Sequence, residues 1–128
     1  MTETDLGLGD GRTLHVYDTG ADDAADRLAV FWHHGTPNIG APPEPLFATA
    51  ARLGIRWVSY DRPGYGGSSP RPGRDLASAA DYVSGIADAL GIDRFAVIGH
   101  PISSASDDEL AEYARATIAQ ARQLLLRG

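Results

Sequence analysis

The stretch Phe95-Ala96-Val97-Ile98-Gly99-His100-Pro101-Ile102-Ser103-Ser104 decides how this chain folds. Its first four residues are all apolar, with no polar alternation, as expected of a short strand covered on both faces. Gly99-His100 ends the run, and Pro101, which has no N–H to give a ladder, cannot extend it. Upstream, a helix is expected from Asp75. It carries Leu76, Ala79, Ala80, Val83, Ile86, Ala87 and Leu90 on one face at helical spacing, and Gly91 lies beyond its end. Helix into buried strand is half of a βαβ unit, so the preceding strand should run parallel to this one.

That strand is Arg56-Trp57-Val58-Ser59-Tyr60, which stops at Asp61-Arg62-Pro63-Gly64-Tyr65-Gly66-Gly67-Ser68-Ser69. Before it, a Pro-rich loop (Pro42, Pro43, Pro45) leads to a short helix from about Glu44 to Leu53, ended by Gly54. Leu28-Ala29-Val30-Phe31-Trp32 is a second wholly apolar strand, closing on His33-His34-Gly35-Thr36-Pro37. Leu6 to Leu8 and Thr13 to Tyr17, around a Gly-rich turn, alternate as a half-buried hairpin does. Residues 18 to 26 are small, polar and rich in Gly and Asp, a surface loop. The last segment is expected as a helix, with Ser106 and Glu109 as a capping box. Its apolar stripe runs through Leu110, Tyr113, Ala114, Thr117, Ile118, Ala121, Leu124 and Leu125.

The 128 residues fit one domain, with no repeat, low-complexity tract or dividing linker. A net charge of −6 and a pI near 5.0 argue against nucleic acid or an anionic membrane as partner. With no cysteine, neither a disulfide nor a thiolate metal site can form, and no metal or cofactor is expected. The acidic start, Met1-Thr2-Glu3-Thr4-Asp5, lacks the apolar core of a secretory signal, and no apolar run approaches the about 18 residues of a membrane span. A cytoplasmic protein is the expectation.

Four features in order resemble the N-terminal half of the α/β-hydrolase family, over roughly residues 6 to 100. They are the opening hairpin, the strand into His34-Gly35-Thr36-Pro37, the strand into Asp61-Arg62-Pro63-Gly64-Tyr65-Gly66-Gly67-Ser68, and the strand into Gly99-His100. The resemblance implies an α/β fold: a shortened hydrolase-like core, mostly parallel, with an N-terminal antiparallel hairpin and flanking helices. It also implies hydrolysis of ester- or amide-type bonds, with His34, Gly35 and Thr36 as the oxyanion loop. Backbone N–H groups in such a loop, that of Thr36 above all, stabilise charge developing on a carbonyl oxygen. The glycines at 64, 66 and 67 do not make a dinucleotide site, because Pro70 and Pro72 stand where a helix would have to open. Asp61 and Arg62 are read as a structural ion pair.

A strand closing on Gly-His normally begins a nucleophile elbow, Gly-x-Ser-x-Gly. Pro101 occupies the serine's position. Equally, Gly99-His100 before a C-terminal helix is similar to the family's catalytic-histidine loop. Only 28 residues follow His100, which suits an early half joined to a tail, a designed shortening or a divergent relative alike. His100 and Ser103 (or its neighbour Ser104) are the residues left for base and nucleophile, yet neighbours on one short loop rarely reach triad geometry. Asp107 and Asp108 suit the first turn of the last helix. His15 is expected on the exposed side of its strand, and His33 in a structural role. The strand from Phe95 to Ile98 should present an unpaired edge, favouring homo-oligomers. A small ester- or amide-like ligand is the other expected partner.

Overall fold

The computed structural model describes residues 1–20, 27–35, 37–75 and 77–97, together with positions 108, 112, 115, 116, 119, 120 and 123. Five strands form one mixed sheet: β1 (Thr2–Gly7), β2 (Thr13–Asp18), β3 (Leu28–Trp32), β4 (Ile55–Tyr60) and β5 (Phe95–Val97). Their order across the sheet is β1-β2-β4-β3-β5. β1 and β2 form an antiparallel hairpin in register from Thr2↔Asp18 to Gly7↔Thr13, and β2 continues antiparallel onto β4. β4, β3 and β5 run parallel. The hydrolase-like α/β architecture expected from the sequence is therefore present.

Two helices connect the parallel strands. After a 3-10 turn at Glu44–Leu46, α1 (Phe47–Arg52) links β3 to β4, and α2 (Ala77–Ala89) links β4 to β5. The first crossover moves from β3 to one neighbour and the second returns past β3 to the other. With both right-handed, the helices must lie on opposite faces. The core divides accordingly. Leu14, Val16, Phe31, Val58 and Tyr60 pack against Tyr82, Val83, Ile86 and Ala87 of α2. Val30, Trp57 and Ala96 pack against Ala50 of α1, with Phe47 and Trp32 at the margin. Phe31, Val58 and Ile86 are wholly buried, each contributing on the order of 1.5–3 kcal/mol of hydrophobic stabilisation.

Three sequence expectations shift. The first strand starts at Thr2 instead of Leu6, because its polar residues pair through the backbone while their side chains stay in solvent. The helix expected from Glu44 begins with a 3-10 turn, since Pro45 at its start lacks an N–H. The buried face of α2 passes through Ser78 and Tyr82, and Ala80 is exposed. Ser78 can be buried because its hydroxyl donates to the Asp75 carbonyl at 2.6 Å. Its N–H in turn donates to the Asp75 carboxylate at 2.9 Å, which caps the helix.

At the end of the sheet away from the β3 exit loop, Arg56 donates to both oxygens of Asp18 at 2.8 and 2.7 Å, with both side chains almost fully buried. Burial alone would raise the Asp18 pKa, but the guanidinium and the Gly20 N–H hold it below its ordinary value. Among the described residues β1 and β5 are the end strands. The Val97 N–H of β5 donates to the side-chain carbonyl of Gln120 at 3.3 Å. The described positions of the last segment are helical and exposed, whereas its expected apolar stripe and capping box lie outside the described residues. No helix among the described residues is long and apolar enough to cross a membrane.

Candidate functional site

Because strand order reverses around β3, the carboxyl ends of β3 and β5 flank a switch point, where open α/β sheets bind ligands. β3 leaves the sheet into His33-His34-Gly35, and β4, beside it, into Asp61-Arg62. Side chains alternate on leaving the sheet, so the two histidines part. His33 sets its ring edge-on to Tyr60 on the α2 face, with centroids 5.7 Å apart. His34 turns to the other face and is 3% exposed.

His34 ties the two exit loops together. Its Nε2 accepts the Arg62 N–H at 3.0 Å, and its Nδ1 lies 3.2 Å from the Gly35 carbonyl. An Nε2 that accepts leaves the proton on Nδ1, so the ring is neutral. Burial pushes its pKa below the ordinary histidine value, and the nearby Arg62 charge acts in the same sense. The Gly35 carbonyl also receives the Asn38 N–H at 2.9 Å.

Asp61 organises what surrounds these contacts. Its carboxylate is wholly buried and accepts the Gly40 N–H at 2.6 Å, the Gly67 N–H at 2.8 Å and the Tyr17 hydroxyl at 3.3 Å. Its carbonyl accepts the Ser68 hydroxyl at 2.6 Å, and Ser68 Oγ accepts the His15 N–H at 2.9 Å. One carboxylate thus fastens the β3 exit loop, the β4 exit loop and β2. Glycine is obligatory where the chains meet. A Cβ on Gly40 would lie 2.4 Å from the Tyr60 carbonyl carbon and oxygen, and one on Gly66 would lie 1.9 Å from Asp61 Oδ2. Burial and the Asp61 charge push the Tyr17 pKa up to about 12. The Arg62 guanidinium lies over the Tyr65 ring at 4.8 Å.

His15 is more engaged than its strand position suggested. Its Nδ1 is 2.6 Å from Asp5 and its Nε2 3.2 Å from Glu3, so both nitrogens donate and the ring is an imidazolium. The Asp5 carboxylate raises its pKa, against a smaller cost of burial.

Of the sequence-predicted site residues, His34 and Gly35 stand together at the switch point. Thr36, His100 and Ser103 lie outside the described residues. Sequence reasoning missed Tyr17 as a partner of Asp61. The available signal was an Asp directly after a buried strand, followed by closely spaced glycines. Among the described residues no group of three or more histidine or acidic side chains is placed to hold a metal.

A family model described as the alpha/beta hydrolase fold matches residues 29–101, more than half of the chain. No curated protein matches. Among solved structures, a hydrolase from Pseudomonas aeruginosa is 25% identical, with a TM-score of 0.57 over 75% of this chain and 35% of that one. Two others share the fold. An esterase from Exiguobacterium antarcticum is 24% identical, with a TM-score of 0.57 over 79% of this chain and 36% of its own. A bromoperoxidase from Bacillus anthracis is 21% identical, with a TM-score of 0.64 over 88% and 38%. The chain spans little more than a third of the length of each. The stretch from β3 to Pro101, with its parallel strands and its His-Gly exit loop at the switch point, places this chain in the α/β-hydrolase family.

Proposed function

We propose that the chain keeps the oxyanion side of a hydrolase site and lacks its nucleophile. The ancestral reaction is attack of a side-chain oxygen on an ester or amide carbonyl, with the resulting oxyanion held by backbone N–H groups of the His34-Gly35-Thr36 loop. The observation that carries this reading is the continuity of the family match from β3 through Gly99-His100 to Pro101. That frame favours the elbow over the catalytic-histidine loop as the origin of Gly99-His100. A proline at the nucleophile's position has no oxygen with which to attack. What survives is a loop suited to receiving a small carbonyl ligand beside β3.

The test uses the full chain with a fluorophosphonate probe and a chromogenic short-chain ester. A chain with a folded circular dichroism spectrum should neither label nor turn over. Labelling of Ser103 or Ser104 together with ester hydrolysis would overturn the proposal and restore that serine and His100 as nucleophile and base.

A second reading, a non-catalytic module that self-associates, is favoured by the end position of β5. Pairing there would displace Gln120 from the Val97 N–H. Light scattering that finds a monomer at every concentration rules this reading out.

A further inference from the structure

All 11 basic residues of this acidic chain are arginines, and four of them gather at one corner. There the β1–β2 turn, the segment after β4 and α2 meet. Arg62 and Arg74 lie over the Tyr65 ring at 4.8 and 5.8 Å, and Arg74 also donates to the Pro63 carbonyl. Arg12 and Arg71 converge on the hydroxyl of Tyr82, with Nη1 to Oη distances of 3.3 and 2.9 Å. The carboxylates near this corner are committed. Asp10 pairs with Arg12 at 2.7 Å, Asp75 caps α2, and Asp61 is buried among its loops.

Tyr82 is 5% exposed, and two guanidinium donors occupy its phenolic oxygen. Its own hydrogen has no acceptor among the described residues and must point away from both arginines. Arg71 uses one of its five N–H groups on Tyr82, has no carboxylate partner among the described residues and stacks over the ring at 5.8 Å. A hydroxyl proton without an acceptor and the remaining N–H groups of a rigid guanidinium make a donor set complementary to an oxyanion. Burial would raise the Tyr82 pKa, yet the two arginines bring it below its ordinary value, which reports the positive field at this point.

We propose that Arg71, Arg12 and the Tyr82 hydroxyl form a binding site for the oxyanion group of a small molecule, a carboxylate or a phosphate. Arg71 and Tyr82 supply direct hydrogen bonds. Arg12 supplies charge partly offset by Asp10, so Asp10 competes with the ligand. The site stands apart from the hydrolytic reading and needs neither Thr36 nor Pro101.

The experiment is an NMR titration of the full chain, following the arginine side-chain Nε–H signals and the Tyr82 ring. Inorganic phosphate and acetate are added in separate arms at an ionic strength fixed with chloride. Saturable shifts at Arg71, Arg12 and Tyr82 are expected in at least one arm, and the arm that saturates identifies the anion. Arg71→Gln should weaken binding at least about tenfold, the loss of a charge-assisted contact. Asp10→Asn should tighten it. Shifts that stay linear in both arms, or saturation unchanged by Arg71→Gln, overturn the proposal.

Discussion

Replacing Asp61 with alanine should cost more stability than any other single change at the carboxyl edge of the sheet. The carboxylate receives two main-chain N–H groups and one phenol, at 2.6, 2.8 and 3.3 Å, and is wholly shielded from water. Alanine leaves the Gly40 N–H and the Tyr17 hydroxyl buried without an acceptor, while the exposed Gly67 N–H turns to water. At about 1–3 kcal/mol for each buried polar group left unpaired, the sum is about 2–6 kcal/mol. Water entering the vacated space keeps the loss near the lower end, about 2–4 kcal/mol. A chain of this length has roughly 6–15 kcal/mol in total, so the loss is a substantial fraction of it. Asparagine can still accept from one N–H but turns its amide donors towards the other, and should cost about half as much. Tyr17→Phe removes the weakest donor and leaves the carboxylate its two N–H bonds, so about 1 kcal/mol or less is expected. Urea unfolding followed by the fluorescence of Trp32 and Trp57 measures all three variants on one scale. The reasoning fails if Asp61→Ala lies within about 1 kcal/mol of the parent, or if Tyr17→Phe costs as much as Asp61→Ala.

Gly40→Ala should destabilise by more than about 2 kcal/mol, because the atoms its Cβ meets belong to the β4 backbone and cannot swing aside. Gly35→Ala, whose Cβ meets nothing within 4 Å, is the matched control, and equal melting temperatures for the two would refute the packing argument. The imidazolium of His15 makes stability depend on pH. Its folded pKa is raised, so the contribution is complete below the ordinary value of 6.5 and is lost as pH rises through the folded value. Because Asp5 and Glu3 are exposed, the loss should stay under about 1 kcal/mol. It should vanish in His15→Gln, and a stability that rises over that window instead would contradict the assignment.

What could be read from the sequence was what local pattern dictates. The wholly apolar run at 28–32 became β3, and that at 95–98 became β5 up to Val97, with Ile98 outside the described residues; the helical spacing of Val83, Ile86 and Ala87 placed α2. The reading faltered where a polar atom is buried because something distant satisfies it. Ser78 and Tyr82 replace Ala80 on the buried face of α2, and the hydroxyl of Tyr82 finds its partner in Arg12, 70 residues away. At the candidate site the His-Gly loop was legible as a loop after a buried strand. The role of Asp61 was not, because its acceptor bonds reach residues 44, 21 and 6 positions away. Such distances leave no period in the chain. His15 was misjudged for the same reason, since its partners lie across the hairpin on β1.

The two end strands of the sheet are shielded by different chemistry, and that difference bears on how the protein behaves in a salt solution. Along β1, Glu3 and Asp5 would meet their own kind if a second copy paired there, a repulsion that weakens once the Debye length falls to about 3 Å near 1 M salt. At β5 the shield is the neutral amide of Gln120 on the Val97 N–H, which ionic strength leaves untouched. Self-association that grows with added salt therefore belongs to β1, and association indifferent to salt belongs to β5.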